Sequence, residues 1–227
     1  MAKEGECSFV KKRLAEELHC IVRHTLPGVL FQTALGEKNW LAIESRKEEN
    51  IYLTILDLDH GQVIKEYAPS VLTPWHSLMG IENKKIIFQH FEDRQNPDKV
   101  ALYALNLTNN ELSKVSNWQP STAVLPNTPA LFLPDTDAFN MVVNFLGESI
   151  ELGCEYMETN ETIVLGSHVR QNTNRFIRRI HVIKQGKNAL SIIQDKDLKG
   201  FAPGSFFTFK KRLIFARDKR EINIYEI

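Results

Sequence analysis

The 227-residue sequence has no excess of charge of either sign: 28 Lys and Arg stand against 28 Asp and Glu. A nucleic-acid binder draws much of its affinity from phosphate neutralisation, so this balance argues against such a partner. Cysteine is scarce. Cys7, Cys20 and Cys154 make an odd number, and no two have Cys-x-x-Cys spacing. A disulfide framework or a cysteine zinc site is thereby disfavoured, and reduced thiols are expected. No apolar run approaches the ~18 residues of a membrane span. The stretch Met1 to Val10 carries acids where a secretory leader would have its apolar core. The expected setting is therefore cytoplasmic, with no membrane partner. Catalytic signatures are missing too: there is no His-Glu-x-x-His, Walker loop or dinucleotide fingerprint. Gly147-Glu-Ser149 lacks the second glycine of a nucleophile elbow, because Glu151 stands there. No cofactor and no bound metal are expected.

What the sequence does hold is alternation. The runs 40–46, 51–58 and 62–67 are rich in β-branched and aromatic residues. They are separated by the turns Lys47-Glu-Glu-Asn50 and Asp59-His-Gly61, the signature of an antiparallel meander. Gly61 suits a turn that needs a positive φ. The pattern recurs in 86–91, 100–107 and 111–115, where Leu105-Asn-Leu107 echoes Leu56-Asp-Leu58. Repeats of roughly 40–50 residues with four strands each are the mark of propeller blades. A third echo closes the chain: Lys210-Lys-Arg-Leu-Ile-Phe-Ala-Arg217 follows the pattern of Lys84-Lys-Ile-Ile-Phe-Gln89, and 222–227 matches the strand after it. That final strand should be tied into a sheet, removing an exposed edge.

Between these echoes, 139–145, 149–154, 162–166, 176–183 and 189–193 also read as strands. The stretch 120–134, with four prolines, reads as a connection, and Pro134-Asp-Thr-Asp137 as a turn. One segment, Phe9 to Val22, has helical apolar spacing ended by Pro27-Gly28, with a strand start over 19–24 as the alternative. The sequence thus predicts an all-β fold: antiparallel four-stranded meanders in a β-propeller or propeller-like assembly, with one short N-terminal helix. It forms a single domain over 1–227, with repeat units at about 28–70, 71–118, 119–170 and 171–227. Phe88 and Phe215 are expected in the core.

The segment Leu56-Asp-Leu58 to His60-Gly61-Gln-Val63 resembles the blade-closing turn of quinoprotein-type β-propellers, as does 105–110, where Asn110 takes the place of the glycine. Asn tolerates the left-handed conformation better than most residues. Those repeats carry a Trp shortly after the glycine, where this chain has Lys65 and Lys114, so the resemblance implies blade shape and no quinone cofactor. The run Trp75 to Trp118 is similar to an uncharacterised bacterial family, a domain of unknown function. The similarity rests on Trp75-His76, Ile86-Ile-Phe88, His90-Phe-Glu-Asp93 and Asn96-Pro97. It implies a propeller-like β fold and no established activity.

The candidate site residues follow from chemistry. His90 and Glu92 would share a strand face, with Asp93 beside them, a set that could hold a metal or act as a general acid/base pair. A strand end running into a charged turn is the structural alternative. Trp75-His76, after Pro74, either lines a binding surface or fills the core. The basic run Arg170, Arg175, Arg178, Arg179 and Lys184 reads as a solvated strand face. The favoured function is a non-catalytic module binding a protein or small-molecule ligand, with Trp75, His76, His90, Glu92 and Asp93 as ligand contacts. A hydrolase or metal-dependent enzyme centred on His90 and Asp93 is the alternative.

Overall fold

The computed structural model describes residues 18–93, 95–119, 125–159 and 161–227, and the fold is all-β. Four antiparallel sheets account for the described strands. Sheet I is a meander of β2 (Val29–Leu35), β3 (Trp40–Lys47), β4 (Asn50–Asp57) and β5 (Gln62–Tyr67). Sheet II repeats it with β6 (His76–Glu82), β7 (Lys85–Phe91), β8 (Val100–Asn106) and β9 (Leu112–Val115). Sheet III has five strands: β10 (Ala130–Phe132), β11 (Ile150–Glu158), β12 (Thr162–Asn172), β13 (Arg175–Lys184) and β14 (Lys187–Leu198). Sheet IV joins the two ends of the described chain. β1 (Cys20–Thr25) pairs antiparallel with β17 (Glu221–Glu226), followed by β16 (Arg212–Arg217) and β15 (Phe206–Phe209). The residue pair 170/171, read from sequence as a repeat junction, lies within β12 of sheet III.

Turn chemistry fixes the meanders. Gly61 has φ +65° in the β4–β5 turn, and Asn110 has φ +58° in the β8–β9 turn, so both echoes use the left-handed conformation. Each sheet then buries its apolar side chains against a neighbour. Leu53 and Ile55 of sheet I meet Leu78, Ile86 and Phe88 of sheet II. Leu41, Ile43 and Leu56 of sheet I meet Val22, Ile214 and Ile224 of sheet IV. Met157, Val164 and Ile180 of sheet III meet Phe206, Leu213 and Phe215 of sheet IV. The packing therefore runs II–I–IV–III, a propeller-like stack. Phe88 and Phe215 are both buried, as expected.

The strand expected at 139–145 is instead α1 (Asp137–Leu146). Period-two alternation of Phe139, Met141, Val143 and Phe145 suggested a strand, but Phe139, Val142, Val143 and Leu146 also recur at helical spacing. The boundaries favour the helix: the Thr136 hydroxyl caps the Phe139 N–H, and Gly147 ends the helix at φ +62°. The 134–137 turn is thus the helix entry. α1 packs Phe139 and Val142 on Ile150, Leu165 and Ile183, on the face of sheet III turned away from sheet IV. Adjacent residues such as Val164 and Leu165 thus serve opposite faces, which is why these strands read as continuous apolar runs. At the other end, the helix expected over 9–22 lies outside the described residues up to position 17. Cys20–Val22 belong to β1, the alternative weighed for that segment. Among the described residues no helix is long and apolar enough to cross a membrane.

Candidate functional site

The β6–β7 register places His76 directly opposite His90. Their ring centroids are 4.3 Å apart at an interplanar angle of 36°, and Tyr103 stands edge-on 5.7 Å from each. His76 is buried, and its Nδ1 lies 3.0 Å from the Thr73 nitrogen and 3.3 Å from the Thr73 carbonyl oxygen. Burial pushes the His76 pKa down, and the neighbouring His90 adds to the shift. His90 Nδ1 is buried and has no hydrogen-bond partner among the described residues.

The acids of this constellation go elsewhere. Glu92 accepts from Lys114 Nζ at 2.8 Å, and that bond holds its carboxyl below the usual range. Asp93 faces Lys99 at 3.4 Å and caps the Gln95 N–H. Both pairs are largely solvent-exposed. Among the described residues, no group of three His, Cys, Asp or Glu side chains could hold a metal ion. Trp75 is about two-fifths exposed, immediately before β6. The structure therefore joins His76 to His90, and turns Glu92 and Asp93 toward lysines.

The basic run is a solvated face only in part: Arg170 is exposed and Arg175, Arg179 and Lys184 are half-buried. Arg178 is 6% exposed and donates through Nε to Asp195 at 2.8 Å. Arg170 pairs with Glu151 and Arg179 with Glu148. The β13–β14 register sets Asp195 opposite Arg178, while Glu151 of β11 and Glu148 just before it supply the partners of Arg170 and Arg179.

A second constellation was not legible in the sequence. Four buried side chains, one from each of four adjacent strands of sheet III, hold the segment 202–205 between β14 and β15. Glu155 of β11 accepts the Gly204 N–H at 2.6 Å and the Ser205 N–H at 3.1 Å. His168 of β12 accepts the Ala202 N–H at 3.4 Å through Nε2. Arg178 of β13 donates to the Ala202 carbonyl at 2.8 Å. Gln194 of β14 donates through Nε2 to the carbonyls of Ser205 (2.6 Å) and Ala216 (2.9 Å). Burial, with the Arg178 charge adding to it, pushes His168 down to about 4, so its ring is neutral near pH 7.

This held segment forms one side of a cleft of about 370 Å³, which Leu30, Phe31 and Thr33 of β2 line from the other side. Phe31 owes its position to a β-bulge. Leu30 pairs with Ser45 and Gln32 with Glu44, so Phe31 is the extra residue between them. A bulge re-aims a side chain relative to regular alternation. The Phe31 ring is 52% exposed and lies 3.6 Å from the Arg46 guanidinium carbon. Arg46 is fixed by Glu44 at 2.6 Å and by the carbonyls of Pro74 (3.1 Å) and His76 (2.7 Å). Arg46 thus ties the Pro74 and His76 carbonyls, either side of Trp75, to the Phe31 ring. The one signal available in advance was the run Val29-Leu-Phe31, three successive apolar residues where alternation would place a polar one. Compared with known proteins, the chain matches no family model and no curated protein.

Proposed function

We propose that the protein is a non-catalytic binding module whose ligand seat is the cleft between β2 and the 202–205 segment. The observation that carries this reading is Phe31: a bulge-aimed, half-exposed aromatic, held against Arg46 and lining a cleft whose far wall is hydrogen-bonded to four buried side chains. Such pre-organisation lowers the ordering cost of binding. Its volume falls in the ordinary range for small-molecule sites, roughly 300–1,000 Å³. The pairing of Arg170, Arg178 and Arg179 with carboxylates supports a reading without nucleic-acid or membrane partners. Cys20 and Cys154, both free thiols, support a cytoplasmic setting.

A thermal-shift screen with small metabolites tests this. A ligand at a hundred times its Kd should raise Tm by roughly 5–10 °C. Phe31→Ala should keep the unliganded Tm and lose that rise. Turnover of chromogenic ester or phosphate substrates that disappears in His90→Ala would overturn the reading in favour of an enzyme.

A further inference from the structure

Among the described residues, two cations line the cleft and no carboxylate does. Arg178 is already matched by Asp195 and by the Ala202 carbonyl. Lys219 is not matched. It is exposed, and its ammonium has no hydrogen-bond or ion-pair partner among the described residues. The two acids nearest to it in the chain face other cations, Asp218 toward Arg217 at 3.9 Å and Glu221 toward Arg23 at 4.0 Å. The turn that carries Lys219 is tied to β2 and to β14. The Leu30 N–H donates to the Lys219 carbonyl at 2.7 Å, and the Asp218 N–H donates to the Gln194 carbonyl at 2.9 Å. The lysine is therefore set beside the residue that precedes the half-exposed Phe31. Leu30, Phe31, Phe207, Ile214 and Ile222 give the same cleft an apolar lining.

We infer that the cleft takes a small monocarboxylic acid with an apolar body, the body lying on Phe31 and the carboxylate meeting the Lys219 ammonium. This deepens, and rests on, the reading of the cleft as the ligand seat. A carboxylate accepts a charge-assisted hydrogen bond from the ammonium, roughly twice as strong as a neutral one. An amine would meet a like charge there. A dianion would bring a second charge into an apolar lining whose other cation, Arg178, is already engaged.

Phenylacetate and hexanoate, each beside its neutral amide, are the probes, titrated into the whole protein near neutral pH and followed by ¹⁵N–¹H NMR. Each pair shares a body and differs in charge. The expected result is that both acids shift the amides of residues 30–33, 202–205 and 218–220. They should bind about ten-fold more tightly than their amides, as one hydrogen bond to a charged group implies. Lys219→Gln, at an exposed turn position, should reduce each acid to the affinity of its amide, and Lys219→Arg should restore the preference. Phe31→Ala should weaken acid and amide alike. Acid and amide binding equally at the cleft, both weakened in Phe31→Ala, would overturn the anionic class and leave the cleft as the ligand seat. A preference for the acids that survives in Lys219→Gln would overturn the role given to Lys219. No shift at the cleft with any probe at millimolar concentration would overturn both this inference and the placement of the seat.

Discussion

Two junctions between sheets rest on a buried carboxylate, and they differ in what surrounds it. Between sheets I and II, Glu44 on β3 accepts the Leu78 N–H of β6 at 2.7 Å. Between sheets III and IV, Glu155 on β11 accepts the N–H groups that lead into β15. Each acid sits on the second strand of its sheet; Glu44 holds β6 at Leu78, and Glu155 holds the segment that enters β15. At the first junction the partner cation, Arg46, is a quarter exposed and reaches the surface. At the second, the carboxylate is joined by a fully buried ion pair, a buried neutral histidine and a buried amide, all on the same four-residue segment. The contrast teaches that one device can be either tolerant or exacting. With an exit to water, losing a partner exposes a charge that can be solvated. Without one, the same loss strands it.

Asp195→Ala should test this hardest. It leaves Arg178 buried without its anion, and should cost about 3–5 kcal/mol in urea denaturation. A loss under 1 kcal/mol would mean that Arg178 reaches solvent and the junctions are alike. Acid sensitivity comes next. His168 has a folded pKa of about 4 against an unfolded value near 6.5. Between these values the unfolded chain takes up a proton that the folded protein refuses. Stability therefore falls as pH drops from about 6.5 to about 4, levels off below that, and is fully present above pH 6.5. The effect is on the order of 3 kcal/mol at most. In His168→Gln, whose side-chain carbonyl can accept the Ala202 N–H, the fall in Tm between pH 6.5 and 4.5 should shrink. An unchanged pH profile would place the acid sensitivity elsewhere. The smallest effect belongs to the tolerant junction. Glu44→Ala leaves the Leu78 N–H unpaired and should cost about 1–3 kcal/mol, because Arg46 can turn outward. A cost equal to that of Asp195→Ala would erase the distinction.

The two halves were unequally legible. Sheets I and II have one strand per apolar run and one turn signal per hairpin, so β3, β4, β5, β7, β8 and β9 could be read from the sequence within a residue or two. Sheet III buries both faces, against sheet IV and against α1, which removes the alternation that marks a strand. The helix was hidden because Phe139 to Phe145 satisfies two periods at once, and only Thr136 and Gly147 separate them. Of the candidate site, His76 and His90 were named, but their facing each other is a property of register that no spacing encodes. Phe31 was missed for a related reason. A bulge is one residue too many relative to a partner strand, and the partner is unknown until the sheet is formed. Arg178 sits mid-strand among apolar residues and Gln194 opens the polar run Gln194-Asp-Lys-Asp197, and in both settings a polar side chain reads as outward-facing.

The pairing of β1 with β17 has a consequence for how the protein is made. Residues 20–25 leave the ribosome some two hundred residues before their hydrogen-bonding partners, 221–226. At roughly 5–20 residues per second, β1 waits on the order of ten seconds or more with no ladder to join. Sheets I and II, each complete within its own stretch of chain, can form during that interval. Sheet IV cannot, and with it the apolar faces of sheets I and III that pack on it stay uncovered. Of the strands of sheet IV, β17 emerges last, and it therefore sets when these apolar faces can be covered. A truncation that removes β17 should leave two well-formed meanders attached to a sticky, unsealed remainder.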